Sequence, residues 1–207
     1  MANPGEDIPS KKAQLRAQIR AQRAATAPAI HAGRDAAIAR NAETLFATKP
    51  PGARIACYLS APTEPGTYAL VRALLDHGFE VIAPRVRDGH LDWAVVTAAS
   101  SFETGSFGIR EVTGPSVGLD TEPLSSAELV FVPALAIDHR GVRLGQGGGF
   151  YDRTFEHLVT GPAAGPLLVG VINQDELYDE LPAEEHDRVV AAALSQTSIT
   201  YLPRAPS

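Results

Sequence analysis

Short stretches of this chain are apolar without a break: Ile55-Ala56-Cys57-Tyr58-Leu59, Leu129-Val130-Phe131-Val132 and Leu167-Leu168-Val169-Gly170-Val171-Ile172. A strand with one wet face alternates apolar and polar residues. An unbroken run instead marks a strand buried on both faces, in a sheet covered by helices on each side. Between two of these runs lies a helical segment opened by Thr67 and closed by Gly78, with Leu70, Val71, Leu74 and Leu75 on one side. Phe79 to Ala83 reads as a further strand stopped by Pro84. Leu91 to Thr97 reads as an alternating strand carrying Trp93, and Ser198 to Leu202 as an edge strand. Strands alternating with helices build βαβ units, so the expected fold is α/β with a mostly parallel sheet between two helical layers.

The N-terminal part carries no such runs. Residues 1–10, with prolines and a glycine, read as a disordered tail, and 11–207 as a single domain. Ser10 is placed to cap a helix from Lys11 to Arg23. On it Leu15 and Ile19 share one face, and Lys12, Arg16, Arg20 and Arg23 share another at steps of three or four. A second helix is expected from Pro28 to about Thr48, with Ile30, Ala37, Ile38, Leu45 and Phe46 facing inward. Residues 98–127, rich in Ser, Thr, Gly and Pro, read as a long loop with little regular structure.

Composition narrows the function. The 207 residues are 44% hydrophobic and 20% charged, ordinary for a folded domain that needs no disulfide or structural metal. Cys57 is the only cysteine, which rules out an internal disulfide or a cysteine zinc site and suits a reducing compartment. It reads as a small core residue. The net charge of −6 argues against a nucleic-acid-binding domain. The first residues have no basic-then-apolar pattern, and no apolar run approaches the roughly 20 residues of a membrane span, so neither a secretory leader nor a membrane is expected. A cytoplasmic monomer is the working expectation. The six histidines show no metal-ligand spacing, and only His139, just before the glycine turn, stands near other candidate residues.

The densest chemical signal is Arg143-Leu144-Gly145-Gln146-Gly147-Gly148-Gly149-Phe150-Tyr151-Asp152-Arg153. So many glycines make a poor helix or strand. They make a backbone able to reach positive φ and approach a ligand closely, with successive N–H groups forming a nest for an anion. A helix expected from Phe150 to about Val159 would add its positive end. Phosphate suits such a turn, with Arg143 or Arg153 as charged donor, and Asp152 beside it is placed to hold Mg²⁺. The plainer reading is a flexible turn followed by a capping aspartate. The spacing is neither a Walker motif nor a dinucleotide fingerprint. The basic stripe has two readings as well: a solvated face, or a partner for a triphosphate.

Taken together, Arg143-Leu144-Gly145 and Gly147-Gly148-Gly149-Phe150-Tyr151-Asp152 resemble the signature of the 5-formyltetrahydrofolate cyclo-ligase family. Lys12-Ala13-Gln14-Leu15-Arg16, Tyr58-Leu59-Ser60 with Glu64, Ala83-Pro84-Arg85-Val86 and His186-Asp187 follow in the family's order. The resemblance implies a three-layer α/β/α sandwich related to sugar-phosphate isomerases and CoA transferases. It also implies an ATP- and Mg²⁺-dependent conversion of 5-formyltetrahydrofolate to 5,10-methenyltetrahydrofolate, with ADP and phosphate released. Phosphorylation of the formyl oxygen would turn it into a leaving group, and N10 would attack the activated carbon. By position, the resemblance gives Lys12, Arg16 and Arg143 through Tyr151 (with Leu144, Gly145, Gln146, Gly147, Gly148, Gly149 and Phe150) to ATP. It gives Leu59, Glu64 and Gln146 through Phe150 to the folate, and Asp152 and Asp187 to magnesium. Arg143 and Asp152 are the expected catalytic pair.

Gln146 and Phe150 depart from the aromatic, basic or tyrosine residues common in the family. Val189-Val190-Ala191 follows His186-Asp187 where the family often has another aspartate, which bears on the metal shell. Two other functions remain open: a sugar-phosphate or CoA-ester enzyme on the same fold, and a non-catalytic nucleotide- or folate-binding protein.

Overall fold

The computed structural model describes residues 7–105, 108–160, 165–184 and 187–203. In chain order the elements are α1 (Ile8–Ala25), α2 (Pro28–Phe46), β1 (Arg54–Cys57), α3 (Tyr68–Asp76), β2 (Glu80–Arg87), β3 (His90–Val96), β4 (Phe102–Thr104), β5 (Arg110–Val112), β6 (Ser116–Leu119), β7 (Ala127–Pro133), β8 (Ala136–Asp138), β9 (Arg143–Leu144), α4 (Phe150–Phe155), β10 (Leu167–Val171), β11 (Leu177–Tyr178), β12 (Ala192–Leu194) and β13 (Ile199–Tyr201).

An eight-stranded sheet runs β13-β12-β10-β7-β1-β2-β3-β6. Neighbours from β12 to β2 are parallel, and β13, β3 and β6 add antiparallel edges. The unbroken apolar runs supply its centre, and β1 shows why. Ile55 and Cys57 pack toward α2 and α3, among Ile38, Phe46, Leu70 and Leu74. Ala56 between them faces the opposite layer, with Ile82, Val130, Phe155 and Leu168. Successive side chains point to opposite faces, so a strand covered on both faces has no position for a polar residue. Each large apolar side chain buried this way contributes about 1.5–3 kcal/mol. The α/β layering and the mostly parallel sheet are as expected.

From β1 the chain moves to β2 on one side, and later to β7 on the other. The order of the sheet therefore reverses beside β1, and the crevice beyond the carboxyl ends of strands at such a reversal is where α/β sheets bind ligands. α1 does not lie on the main sheet. Its Ile19 packs with Leu135, Ala136, Val142, Leu144 and Leu181 against a small sheet ordered β11-β8-β9. That sheet leads the chain directly into the glycine loop.

Several expectations change. α1 begins at Ile8 and its cap is Asp7, whose carboxylate accepts from the Ser10 amide at 2.9 Å; residues 1–6 lie outside the described residues. Ile30 is 52% exposed rather than inward. β2 continues through Pro84, because Ala56↔Ile82 is the last pair with β1 and a missing N–H toward that side then breaks no ladder bond. Residues 98–127 are not irregular: β4 and β5 form a hairpin, and β6 extends the main sheet as its edge. Residues 106–107 of this stretch lie outside the described residues. The helix after the glycine turn ends at Phe155, short of Val159.

Candidate active site

A cleft of about 450 Å³ opens beyond the carboxyl ends of β1 and β7. Tyr58, Leu59, Glu64, Pro84, Arg85, Pro133, Arg143 and the whole stretch Gly145–Asp152 line it, as do Arg20, Ile109 and Glu111. Its volume lies in the ordinary range of small-molecule sites.

The glycine loop is asymmetric in its hydrogen bonding. Three of its carbonyls accept from guanidinium groups: Arg16 Nε donates to Gly145 O at 2.9 Å, Arg20 Nη2 to Gln146 O at 2.7 Å and Arg153 Nη1 to Gly148 O at 3.1 Å. Among the described residues, no acceptor meets the N–H groups of Gly147, Gly148 or Gly149. Gly147 has φ +100° and Gly149 φ +67°, conformations that favour glycine. A Cβ on Gly149 would stand 2.8 Å from Arg153 Nη1. The loop thus turns its acceptors toward guanidinium groups and leaves a run of donors unused. α4 has six residues, so the anion preference of this site comes from the loop amides and the arginines, not from a long helix dipole.

Behind the loop, Arg143 is nearly enclosed, with 3% of its side chain exposed. Its Nη2 donates to Asp152 Oδ1 at 2.7 Å, its Nη1 donates to Pro133 O at 3.2 Å, and its guanidinium lies 5.8 Å from the Tyr151 ring centroid. Its Nε is buried and meets no acceptor among the described residues, which is costly unless a ligand supplies one. Asp152 is 36% exposed and faces the cleft, with only one oxygen committed to Arg143. One such carboxylate beside phosphates is a usual magnesium holder, so the donor set at Asp152 fits that ion. No group of three or more His, Cys, Asp or Glu placed to hold a metal ion is found among the described residues.

Glu64 sits across the cleft on the segment between β1 and α3. It is 8% exposed; Oε2 accepts from Ala61 N at 2.9 Å and Oε1 from Gln146 Nε2 at 3.1 Å. The segment is held firmly. Tyr58 Oη donates to Pro65 O at 2.9 Å, and Gly66 N to Asp35 Oδ1 at 2.7 Å. Ser60 and Thr67 exchange backbone-to-hydroxyl bonds. A Cβ on Gly66 would stand 2.1 Å from the Asp35 carboxylate. Burial, and then the Glu64 carboxylate, push the phenols of Tyr58 and Tyr151 far above their usual range, so both stay neutral.

The basic stripe divides. Lys12 Nζ donates to Asp187 at 2.7 Å and Glu184 at 2.8 Å, and neither Lys12 nor Asp187 lines the cleft. Arg23 is buried in a pair with Glu176 at 2.7 Å. Only Arg16 and Arg20 reach the glycine loop. Like charges three or four residues apart on a helix repel one another, and the protein's own carboxylates relieve part of that repulsion here. Asp187 and Asp152 are engaged by different cations, and no contact joins them. His186 lies outside the described residues. His139 is half exposed, 4.0 Å from Asp179, and off the cleft. Cys57 is fully buried, and burial raises its thiol far above the usual range, as suits a core residue.

Sequence reasoning gave no role to the opposite wall. There Arg85 Nε donates to Asp92 at 2.6 Å, and Glu111, 3% exposed, accepts from Val86 N and Arg87 Nη1. Arg85 and Glu111 belong to strands that meet only in three dimensions, and Glu111 comes from the stretch expected to be a loop. Asp35, on α2, was equally invisible, because nothing in its helix marks its reach to Gly66.

Comparison with known proteins places the chain in a family. Residues 8–196 match the 5-formyltetrahydrofolate cyclo-ligase family. A protein from Mycolicibacterium smegmatis named 5-formyltetrahydrofolate cyclo-ligase is 34% identical over 192 residues, covering 90% of this chain and 94% of that one. One of the same name from Escherichia coli K12 is 31% identical over 170 residues, covering 77% and 88%. The fold is shared with a 5,10-methenyltetrahydrofolate synthetase from Aquifex aeolicus, with a TM-score of 0.76, 24% identity and 95% of each chain covered. No helix among the described residues is long and apolar enough to cross a membrane.

Proposed function

Since this chain belongs to the 5-formyltetrahydrofolate cyclo-ligase family, we propose that it converts 5-formyltetrahydrofolate to 5,10-methenyltetrahydrofolate at the expense of ATP, releasing ADP and phosphate. The observation that carries this reading is the glycine loop. Carbonyls of Gly145, Gln146 and Gly148 are claimed by Arg16, Arg20 and Arg153, while the amides of Gly147, Gly148 and Gly149 meet no acceptor among the described residues, within a cleft that also holds a buried carboxylate at Glu64.

A formamide carbon is a poor electrophile, and its oxygen a poor leaving group. In this reading the formyl oxygen attacks the γ-phosphorus of ATP and ADP departs. The lone pair of N10 then forms a bond to the formyl carbon, N10 loses its proton, the C–O bond breaks, and phosphate leaves. The protein's work is positioning and neutralisation of charge. The amides of Gly147, Gly148 and Gly149 receive phosphate oxygens, with the spare Nε of Arg143 as a further donor. Asp152, with one oxygen outside the Arg143 bond, would hold Mg²⁺, which when bound spreads phosphate charge. The resemblance also assigns Lys12 to the triphosphate and Asp187 to the cation, and the two pair with each other at 2.7 Å. Glu64 accepts donors from the pterin edge, and Leu59 and Phe150 supply apolar contact. Tyr58 and Tyr151 remain neutral beside the ring. We take the protein to work as a monomer in the cytoplasm.

The test mixes the protein with Mg-ATP and 5-formyltetrahydrofolate and follows the near-ultraviolet absorbance of methenyltetrahydrofolate alongside ADP. Product and ADP in equal amounts, each dependent on both substrates, is the expected result. Binding of both without turnover would indicate a carrier or sensor, and inertness toward both would indicate a different substrate on this fold.

A further inference from the structure

α1 reaches the buried carboxylate of the cleft through one intermediary. Arg20 Nε and Nη2 donate to Gln146 Oε1 at 3.1 and 3.0 Å, and Nη2 also donates to Gln146 O at 2.7 Å. Gln146 Nε2 in turn donates to Glu64 Oε1 at 3.1 Å. A guanidinium can only donate, and an ionised carboxylate can only accept. A carboxamide has both functions, so it is the kind of side chain that can bridge the two without a charge of its own. Arg20 fixes which way round the amide stands: its oxygen must face the guanidinium, and its NH₂ must then face Glu64. No other described residue bonds Glu64 Oε1, and Oε2 is held by the Ala61 amide.

We infer that Arg20 is a positioning residue for the folate subsite, acting through Gln146 on Glu64. This rests on the folate reading above. The relay holds the carboxylate plane of Glu64 so that the free lone pair of Oε1, one of two on that oxygen, is presented to an N–H donor of the substrate. Gln146 stands where the resemblance noted a departure from aromatic or basic residues. A basic residue there would face Arg20 as a like charge, and an aromatic one would offer it no carbonyl. The amide and Arg20 therefore belong together in this chain, and Gln146 sets the grip on the pterin edge rather than on ATP.

The experiment measures steady-state kinetics with each substrate varied in turn, and calorimetric binding of 5-formyltetrahydrofolate alone. Arg20 and Gln146 are both exposed, so their variants should fold and melt like wild type. Gln146→Met breaks the relay but spares the Arg20 bond to the loop carbonyl. It should raise the folate KM and Kd about three- to tenfold, the worth of one hydrogen bond, a larger change than in the ATP KM. Arg20→Met should raise both KM values, and Arg20→Lys, which keeps a donor, should recover part of the loss. An unchanged folate KM and Kd in Gln146→Met overturns the inference, as does a tighter Kd, which would make Gln146 an obstruction. Wild-type protein that binds folate without turnover overturns the cyclo-ligase reading, while the Kd comparison still decides the relay. Wild-type protein that does not bind folate overturns both.

Discussion

Arg16 Nε lies 2.9 Å from the carbonyl oxygen of Gly145, at the entrance to the glycine loop. The guanidinium thus holds the backbone in the orientation that leaves the following amides free, without lining the cleft itself. Replacing it by methionine keeps the aliphatic stem and removes the donor. The expected outcome is a rise of about tenfold in the ATP KM, the scale of a charge-assisted hydrogen bond, with folate KM little changed. Kinetics with each substrate varied in turn check it. An unchanged ATP KM would show that the loop holds its shape without this tie.

Asp152 does two things: it accepts from the buried Arg143 and offers its other oxygen to the cleft. Asp152→Asn separates them. The amide oxygen can still accept from Arg143, so melting should stay close to wild type. Loss of the negative charge should lower kcat about a hundredfold, the scale of a preorganised electrostatic group. A large fall in melting temperature with kcat preserved would assign Asp152 to the fold instead.

The glycines of the loop are not equivalent. Gly147 has φ +100°, so Gly147→Ala should cost about 1–3 kcal/mol of stability from strain and raise the ATP KM. Gly148 is not at positive φ, and an added Cβ would meet the Phe150 ring at 3.0 Å. Gly148→Ala should therefore act by moving that ring, with a smaller loss of stability and a larger effect on folate than on ATP. Thermal melts and the two KM values distinguish these outcomes.

The Lys12 ammonium is buried, which lowers its pKa, but hydrogen bonds and charge from Asp187 and Glu184 outweigh burial and raise it above 10.5 overall. A folded value above the unfolded one means stability that is present in full below pH 10.5 and lost as pH rises through the folded value. Denaturation of wild type and Lys12→Met should differ by a constant amount from neutral pH to about 10 and converge above it. A gap that persists or widens in strong alkali would contradict the pairing.

The parts of the fold legible in sequence were those whose signal is local. The apolar runs marked β1, β7 and β10, and Gly78, with φ +78°, closed α3 where expected. β8, β9, β11 and β12 have two or three residues each, too few to show a period, and exist because a neighbour supplies their bonds. In the site, Arg143, Gly145–Tyr151 and Asp152 are consecutive and were readable as one unit. The carboxylates that claim Lys12 and Arg23 come from more than 150 residues away, at Glu184, Asp187 and Glu176. Only the fold reveals that the basic stripe is partly neutralised from within.

The most direct measurement is an NMR titration of protein carrying ¹⁵N-glycine with Mg-ATP. The amides of Gly147, Gly148 and Gly149 should move downfield in a saturable way, with those of distant glycines such as Gly33 and Gly52 unmoved. Saturable ATP binding that leaves the three loop amides in place would contradict phosphate capture by this backbone.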